Sequence, residues 1–206
     1  MHRSGTSLLA KVLEKGGIFM GVLKDPNFEA IHFLSENQKA LEAEGGDWLD
    51  PKIPSPNNWT KFSAEVLYNE HFRLNGRIQK WKNSRQNPDW GFKDPRNSFT
   101  LEMWLKKFPK AKVIYIKRDS SSVIESLQNR NKKEGEVHDA RLEDAEFCEN
   151  LWKKYSDQCQ SYKEKLGDKM LILEYKDLIE LNTRTIKALD NFTGKSLKSH
   201  IKFFLR

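Results

Sequence analysis

Two short runs constrain the fold of this chain more than any other feature. Ala111-Lys-Val-Ile-Tyr-Ile-Lys117 is β-branched and aromatic and leads into Arg118-Asp119, and Met170-Leu-Ile-Leu-Glu174 has the same character. Both read as strands. Between them the spacing is helical. Ser120 stands where a cap is needed and Val123, Ile124 and Leu127 follow on one face, while residues 140–166 predict a long helix with Phe147, Leu151, Trp152 and Tyr155 inward. Strands joined through helices run parallel, and a parallel sheet is covered on both faces. The expected architecture is therefore α/β: a P-loop-like domain, residues 1–206, with a mostly parallel sheet covered by helices on both faces. Further helices are expected at residues 8–15, 29–44, 62–81 (interrupted at Gly76), 99–108 and from Asn182 to about 192, with short extended pieces at Ile18-Phe19-Met20 and Trp90-Gly91-Phe92-Lys93. A basic turn up to Pro88, a polar loop at residues 132–139 and a basic tail from Lys195 to Arg206 complete the reading.

The first nine residues, Met1-His2-Arg3-Ser4-Gly5-Thr6-Ser7-Leu8-Leu9, read as a turn running into a helix. Gly5 allows positive φ and a close approach of backbone to a ligand, Ser4, Thr6 and Ser7 add hydroxyls, and Arg3 adds a permanent charge. Open amides and the dipole at a helix start attract an anion. The plain alternative is a capped helix with a basic neighbour. The stretch is not a Walker loop, because Arg3 precedes the glycine and no lysine follows it. A loop of this kind follows a buried strand. That first strand is expected to be missing from the sequence as given, leaving an upstream start, a fragment, or another segment filling the sheet.

A net charge of +7 points to anionic partners without choosing among nucleotide, sulfated or phosphorylated acceptor, and nucleic acid. No run of apolar residues is long enough to span a bilayer and no signal peptide is visible, so a cytoplasmic protein is expected. Cys148 and Cys159 fall in one predicted helix about 16 Å apart along its axis, too far for a disulfide, and free thiols fit a reducing compartment. The five histidines are scattered and no metal site is expected.

Taken in order, His2-Arg-Ser-Gly-Thr-Ser7, Gly91-Phe-Lys-Asp-Pro-Arg96 and Phe108-Pro-Lys-Ala-Lys-Val-Ile-Tyr-Ile-Lys-Arg118, with Ser126 eight residues beyond Arg118, resemble the sulfotransferases that use 3′-phosphoadenosine 5′-phosphosulfate (PAPS). The likeness is strongest to a bacterial branch with Arg in the first loop and a Phe-Glu pair matching Phe28-Glu29. It implies that Arg3, Ser4, Gly5, Thr6 and Ser7 hold the 5′-phosphosulfate and that Arg118 and Ser126 hold the 3′-phosphate. It also implies that Glu29 is the base, with Arg3 and Lys93 stabilising the leaving phosphate. Many relatives carry Lys in the first loop as a proton donor; Arg3 makes that role electrostatic. His32 is a candidate partner for Glu29, Asp94 and Glu36 are fallback bases, and Arg96 would hold the acceptor or the loop.

Each residue has a plainer reading beside this one. Arg118 could be a solvated strand-end charge paired with Asp119, Ser126 a helix serine bonded to its own backbone, and Glu29 an exposed first-turn carboxylate. Acceptor recognition is placed in the variable region 45–90, where Trp48, Trp59 and Trp81 would stack on a sugar or fill the core. Relatives also close the 3′-phosphate site with a C-terminal basic Gly-rich loop, for which Phe192-Thr-Gly-Lys-Ser196 is not a convincing equivalent. A small-molecule or glycan acceptor is implied, to be sulfated at a hydroxyl or amine, with no nucleic acid. The alternatives are a kinase-like phosphoryl transferase, which needs a Walker lysine and a Mg-binding carboxylate, and a non-catalytic binder of nucleotides or polyanions.

Overall fold

A computed structural model describes residues 1–74, 77–78, 89–133 and 138–206. The expectations placed on Gly76, Trp81, the turn up to Pro88 and the middle of the 132–139 loop lie outside these residues. The described elements are α1 (Thr6–Lys15), α2 (Ile31–Glu42), α3 (Ala64–Phe72), the two-residue strands β1 (Arg73–Leu74) and β2 (Arg77–Ile78), α4 (Asn97–Lys107), β3 (Val113–Lys117), α5 (Ser120–Asn131), α6 (Ala145–Leu166), β4 (Met170–Glu174), α7 (Tyr175–Ile179), α8 (Thr183–Thr193) and α9 (Lys198–Phe204).

The two runs that read as strands are strands, and they pair in parallel from Val113↔Met170 to Lys117↔Glu174. Period-two alternation sends their side chains to opposite faces. Ile114, Ile116, Leu171 and Leu173 pack with Leu9, Val12 and Leu13 of α1 and with Leu178, Ile186, Leu189 and Ile201 of α7 to α9. Val113, Tyr115, Met170 and Ile172 pack on the other side with Leu101 of α4 and Tyr162 of α6. The sheet is thus covered on both faces, as an α/β fold requires. Phe19 and Trp90 form a single parallel bridge, which places the two expected extended pieces side by side.

Among the described residues no strand stands in front of the first loop. Met1 is instead buried in a cluster with Leu41, Leu49, Phe99, Val123, Leu127 and Tyr155, and this seats the start of the loop against α2, α4, α5 and α6. No described helix is long and apolar enough to cross a membrane.

Several boundaries differ from the sequence reading. The helix expected from residue 29 begins at Ile31, because residues 24 and 30 are tied in an antiparallel bridge that keeps the preceding chain extended. Asp119, not Ser120, caps α5: its carboxylate accepts from Ser122 N at 2.8 Å, which brings it down to about 2. The basic tail contains a helix, α9. Leu197 and Ile201, four apart, bury against α1 while the lysines face out.

His71 of α3 makes the fold pH-sensitive. Its Nε2 lies 3.0 Å from the Gly91 carbonyl, a pairing that assigns the proton to Nε2, and its ring is packed among Phe19, Phe33 and Trp90. Burial lowers it from 6.5 to about 4, against the opposing pull of the Gly91 carbonyl. The unfolded chain takes this proton first as pH falls. The resulting stability is fully present above the unfolded value and is lost as pH drops through about 4. Urea unfolding at pH 7 and pH 4 should show the parent chain losing about 3 kcal/mol more than a His71→Gln variant. Equal losses would contradict this.

Candidate functional site

α1 starts at a left-handed Gly5 (φ 95°) with no side-chain cap, and its first helical bond is Leu9 N to Gly5 O at 3.2 Å. The amides of Thr6, Ser7 and Leu8 are therefore left without intrahelical partners, at the positive end of the dipole. Glycine is needed at position 5 twice over. Besides the positive φ, a Cβ there would lie 2.3 Å from Cδ2 of Tyr175. Ser7 Oγ donates to Asn27 O at 2.6 Å. Ser4 is buried and spends its hydroxyl on Met1 O at 2.7 Å, so it shapes the turn and does not line the cavity.

The parallel register brings the ends of β3 and β4 out together beside this loop. Arg118 follows β3 and donates from Nη1 to Arg3 O at 3.0 Å, while its guanidinium lies 4.8 Å from the Tyr175 ring centre. Trp152 Nε1 holds the Arg118 carbonyl at 3.0 Å. Asp119 is occupied in capping α5 and does not pair with Arg118. Arg3 also has positive φ (64°), and its Nε donates to Ser126 Oγ at 2.9 Å. The hydroxyl of Ser126 thus faces the loop and not its own helix backbone.

The opposite wall is an ion-pair relay. Lys93 Nζ reaches Glu29 Oε1 at 2.8 Å, Asn27 O at 3.1 Å and Ser7 Oγ at 3.5 Å. The second oxygen of Glu29 accepts from Arg96 Nη1 at 3.1 Å, and the same nitrogen lies 3.0 Å from Asp94 Oδ1. Asp94 Oδ2 accepts from Asn37 Nδ2 at 2.9 Å. Asn37 completes its own valence with Asn97 (2.8 Å), Thr100 (2.6 Å) and Trp104 (2.8 Å). Buried charges persist when paired and hydrogen-bonded, and each member of this chain is. Burial raises the Asp94 carboxyl to about 6, with Arg96 pulling it back and the charge of Glu29 pushing it up. Glu29 is only 2% exposed, which removes the exposed first-turn reading.

Both walls face one cavity of about 220 Å³. Among its lining residues, Lys93 links Ser7 and Glu29, while Arg3 and Arg118 link Ser126 and Tyr175. A second cavity of about 430 Å³ adjoins the Arg3–Arg118–Ser126 group alone. His2 also lines the first cavity; burial, then the nearby Arg96 and Lys93, hold its imidazole neutral well below the ordinary value.

A family model described as "Sulfotransferase family" matches residues 1–198. The chain belongs to the sulfotransferase family. Its general activity is accordingly sulfotransfer. No curated protein and no solved structure matches it.

In this sulfotransferase the first loop, Lys93, Glu29, Arg118 and Ser126 meet at one cavity, whereas other candidates stand apart. His32 packs on Phe33 and Phe62, and its Nε2 has no partner, so Glu29 is oriented by two cations and not by an imidazole. Glu36 is paired with Lys39 at 2.9 Å. Asp94 is sealed behind Arg96. Trp59 fills the core beside Phe33 and Trp104, and Trp48 packs at 4.7 Å from His2. Gly194 ends α8 and Lys195 pairs with Asp89 at 2.7 Å, beside the other end of α1. The sequence reading gave no part to Tyr175 or Asn37. The signal for Tyr175 was its position directly after β4, which the parallel register carries to the edge that bears the loop.

Proposed function

We propose that this sulfotransferase takes its sulfuryl group from PAPS and passes it to a hydroxyl or amine of a small-molecule or glycan acceptor. The reading rests on one observation: a single cavity collects two sets of anion-binding groups, each joined by its own hydrogen bonds. The open amides of α1 with Lys93 make one set, and Arg118 with Ser126 makes the other. A nucleotide phosphorylated at both its 5′ and 3′ positions presents two matching anions. The loop fits close approach by such a group, because the cavity side of Gly5 carries no side chain and the helix end carries no cap.

When bound, the donor supplies a sulfuryl group joined to phosphate through a bridging oxygen. The chain positions that group and meets the charge that grows on the bridge. Lys93 stands between Ser7 and Glu29, within reach of both the loop and the base. Arg3 contributes only electrostatically, since guanidinium does not give up its proton at working pH. Glu29 takes the acceptor proton as the acceptor oxygen bonds to sulfur. The sulfur–bridge bond breaks, its electron pair stays on the bridging oxygen, and adenosine 3′,5′-bisphosphate leaves. Contact with the phosphosulfate draws Lys93 off Glu29 Oε1, which frees that oxygen for the acceptor. Arg96 keeps the other oxygen in place.

Thermal unfolding with three ligands tests the reading. Adenosine 3′,5′-bisphosphate at a hundredfold excess over its dissociation constant should stabilise the chain by about 2.7 kcal/mol. ATP with Mg²⁺ and a single-stranded oligonucleotide should give less. Stabilisation by ATP with Mg²⁺ and not by the bisphosphate would favour phosphoryl transfer instead.

A further inference from the structure

The base has a support that no motif marks. Asn37 of α2 is buried, and its amide is held in one orientation. Trp104 Nε1 lies 2.8 Å from Asn37 Oδ1, and Thr100 Oγ1 lies 2.6 Å from the same atom. An indole nitrogen only donates, so the atom facing it is the amide oxygen. The Nδ2 group is thereby turned the other way, where it donates to Asp94 Oδ2 at 2.9 Å and to Asn97 Oδ1 at 2.8 Å. Asn37 reaches Asp94 only as a donor.

The remaining contacts of the Asp94 carboxyl have the same sense. Its Oδ1 accepts from the Arg96 backbone N at 2.9 Å and from Arg96 Nη1 at 3.0 Å. Three donors thus converge on the charged form, and one oxygen pins Arg96 at two atoms. The pinned Nη1 is the nitrogen that donates to Glu29 Oε2 at 3.1 Å. A proton on Asp94 opposes one of these donors and loosens the arrangement. Burial brings that proton within working range, at about 6, against the pull of Arg96 and with the push of the Glu29 charge. The other ionisable groups facing Asp94 are the Met1 amine from the first loop and Tyr155 of α6, whose phenol burial holds well above its ordinary value. His2 and Lys93 face Arg96 and Glu29 from the cavity side.

We propose that Asn37 and Asp94 are positioning residues for the base: Asn37 keeps Asp94 charged, and charged Asp94 keeps Arg96 where it fixes Glu29 Oε2. The inference rests on Glu29 as the base, and its test keeps the two apart. Conversion of PAPS at about pH 6 and about pH 8.5, with phenol and glucosamine as acceptor probes, is compared for the parent chain, Asn37→Leu, Asp94→Asn and Glu29→Gln. NMR of isotope-labelled aspartate carboxyls follows Asp94, assigned by the signal lost in Asp94→Asn. In Asn37→Leu, Asp94 should take its proton at a higher pH than in the parent. Transfer by that variant should be about fivefold slower than the parent's at the lower pH and close to it at the higher. Asp94→Asn has no carboxyl to titrate there and should be slow at both. Calorimetric titration should show unchanged affinity of both variants for adenosine 3′,5′-bisphosphate. If Asn37→Leu does not fold, Trp104→Phe, which frees the amide to turn, should show the same pattern more weakly. An Asp94 titration that does not move, or a loss of equal size at both pH values, overturns the inference alone when Glu29→Gln is inactive. Full turnover by Glu29→Gln, or a parent chain that converts no PAPS, overturns the reading beneath it and this inference as well.

Discussion

Gly5→Ala should abolish measurable bisphosphate binding while leaving the chain folded. The substitution puts a methyl group 2.3 Å from Tyr175 Cδ2 and 2.4 Å from Cε2, at a backbone position with φ 95°. Either the ring leaves the cavity wall or the loop moves, and both displace the amides that start α1. Left-handed strain alone costs about 1–2 kcal/mol. Gly17→Ala separates strain from geometry, because Gly17 has nearly the same φ (92°) and nothing within 4 Å of a Cβ. That variant should lose similar stability and bind the bisphosphate normally. If Gly5→Ala bound as well as Gly17→Ala, the loop amides would not be the anion site.

The second large effect is expected at Glu29. Glu29→Gln keeps the shape of the side chain and removes the proton acceptor, so transfer to any hydroxyl that serves the parent chain should fall about 10²–10⁴-fold. Bisphosphate binding should survive, because the loop, Arg118 and Ser126 are untouched. Arg96 retains Asp94 as a partner at 3.0 Å, and Lys93 retains Asn27 O at 3.1 Å, which limits the structural damage. Turnover that persists in a variant with normal binding would move the base elsewhere. Asp94→Asn would be a poor substitute test, since Asp94 contacts Arg96 and Asn37 and has no path to an acceptor.

The parts of this fold that were legible in the sequence are those set by local pattern. The β3 and β4 runs are each apolar over four consecutive residues, and burial on two faces follows from that continuity. Gly5 and the helical spacing after it mark the loop, and the spacing of Arg118 and Ser126 is a property of one strand and one helix. The rest depended on tertiary contacts. Nothing local distinguishes Glu29 as a buried carboxylate, because its two partners, Lys93 and Arg96, lie more than sixty residues away. Asn37 looks like any polar helix residue until α4 brings Asn97, Thr100 and Trp104 against it. Basic composition hid α9, which Leu197 just before it and Ile201 and Phe204 within it dock into the cluster that contains α1. Ser120 and Asp119 compete for one cap, and the carboxylate takes it because it reaches the Ser122 amide.

The central claim is that one cavity grips both ends of a doubly phosphorylated adenosine. A crystal structure of the chain with adenosine 3′,5′-bisphosphate tests it most directly. The 5′-phosphate should lie against the amides of residues 6–8 beside Lys93, and the 3′-phosphate should touch Arg118 and Ser126, with Arg3 no longer bonded to Ser126 Oγ. A nucleotide bound with neither phosphate at the first loop, or with its 3′-phosphate in solvent, would contradict the account.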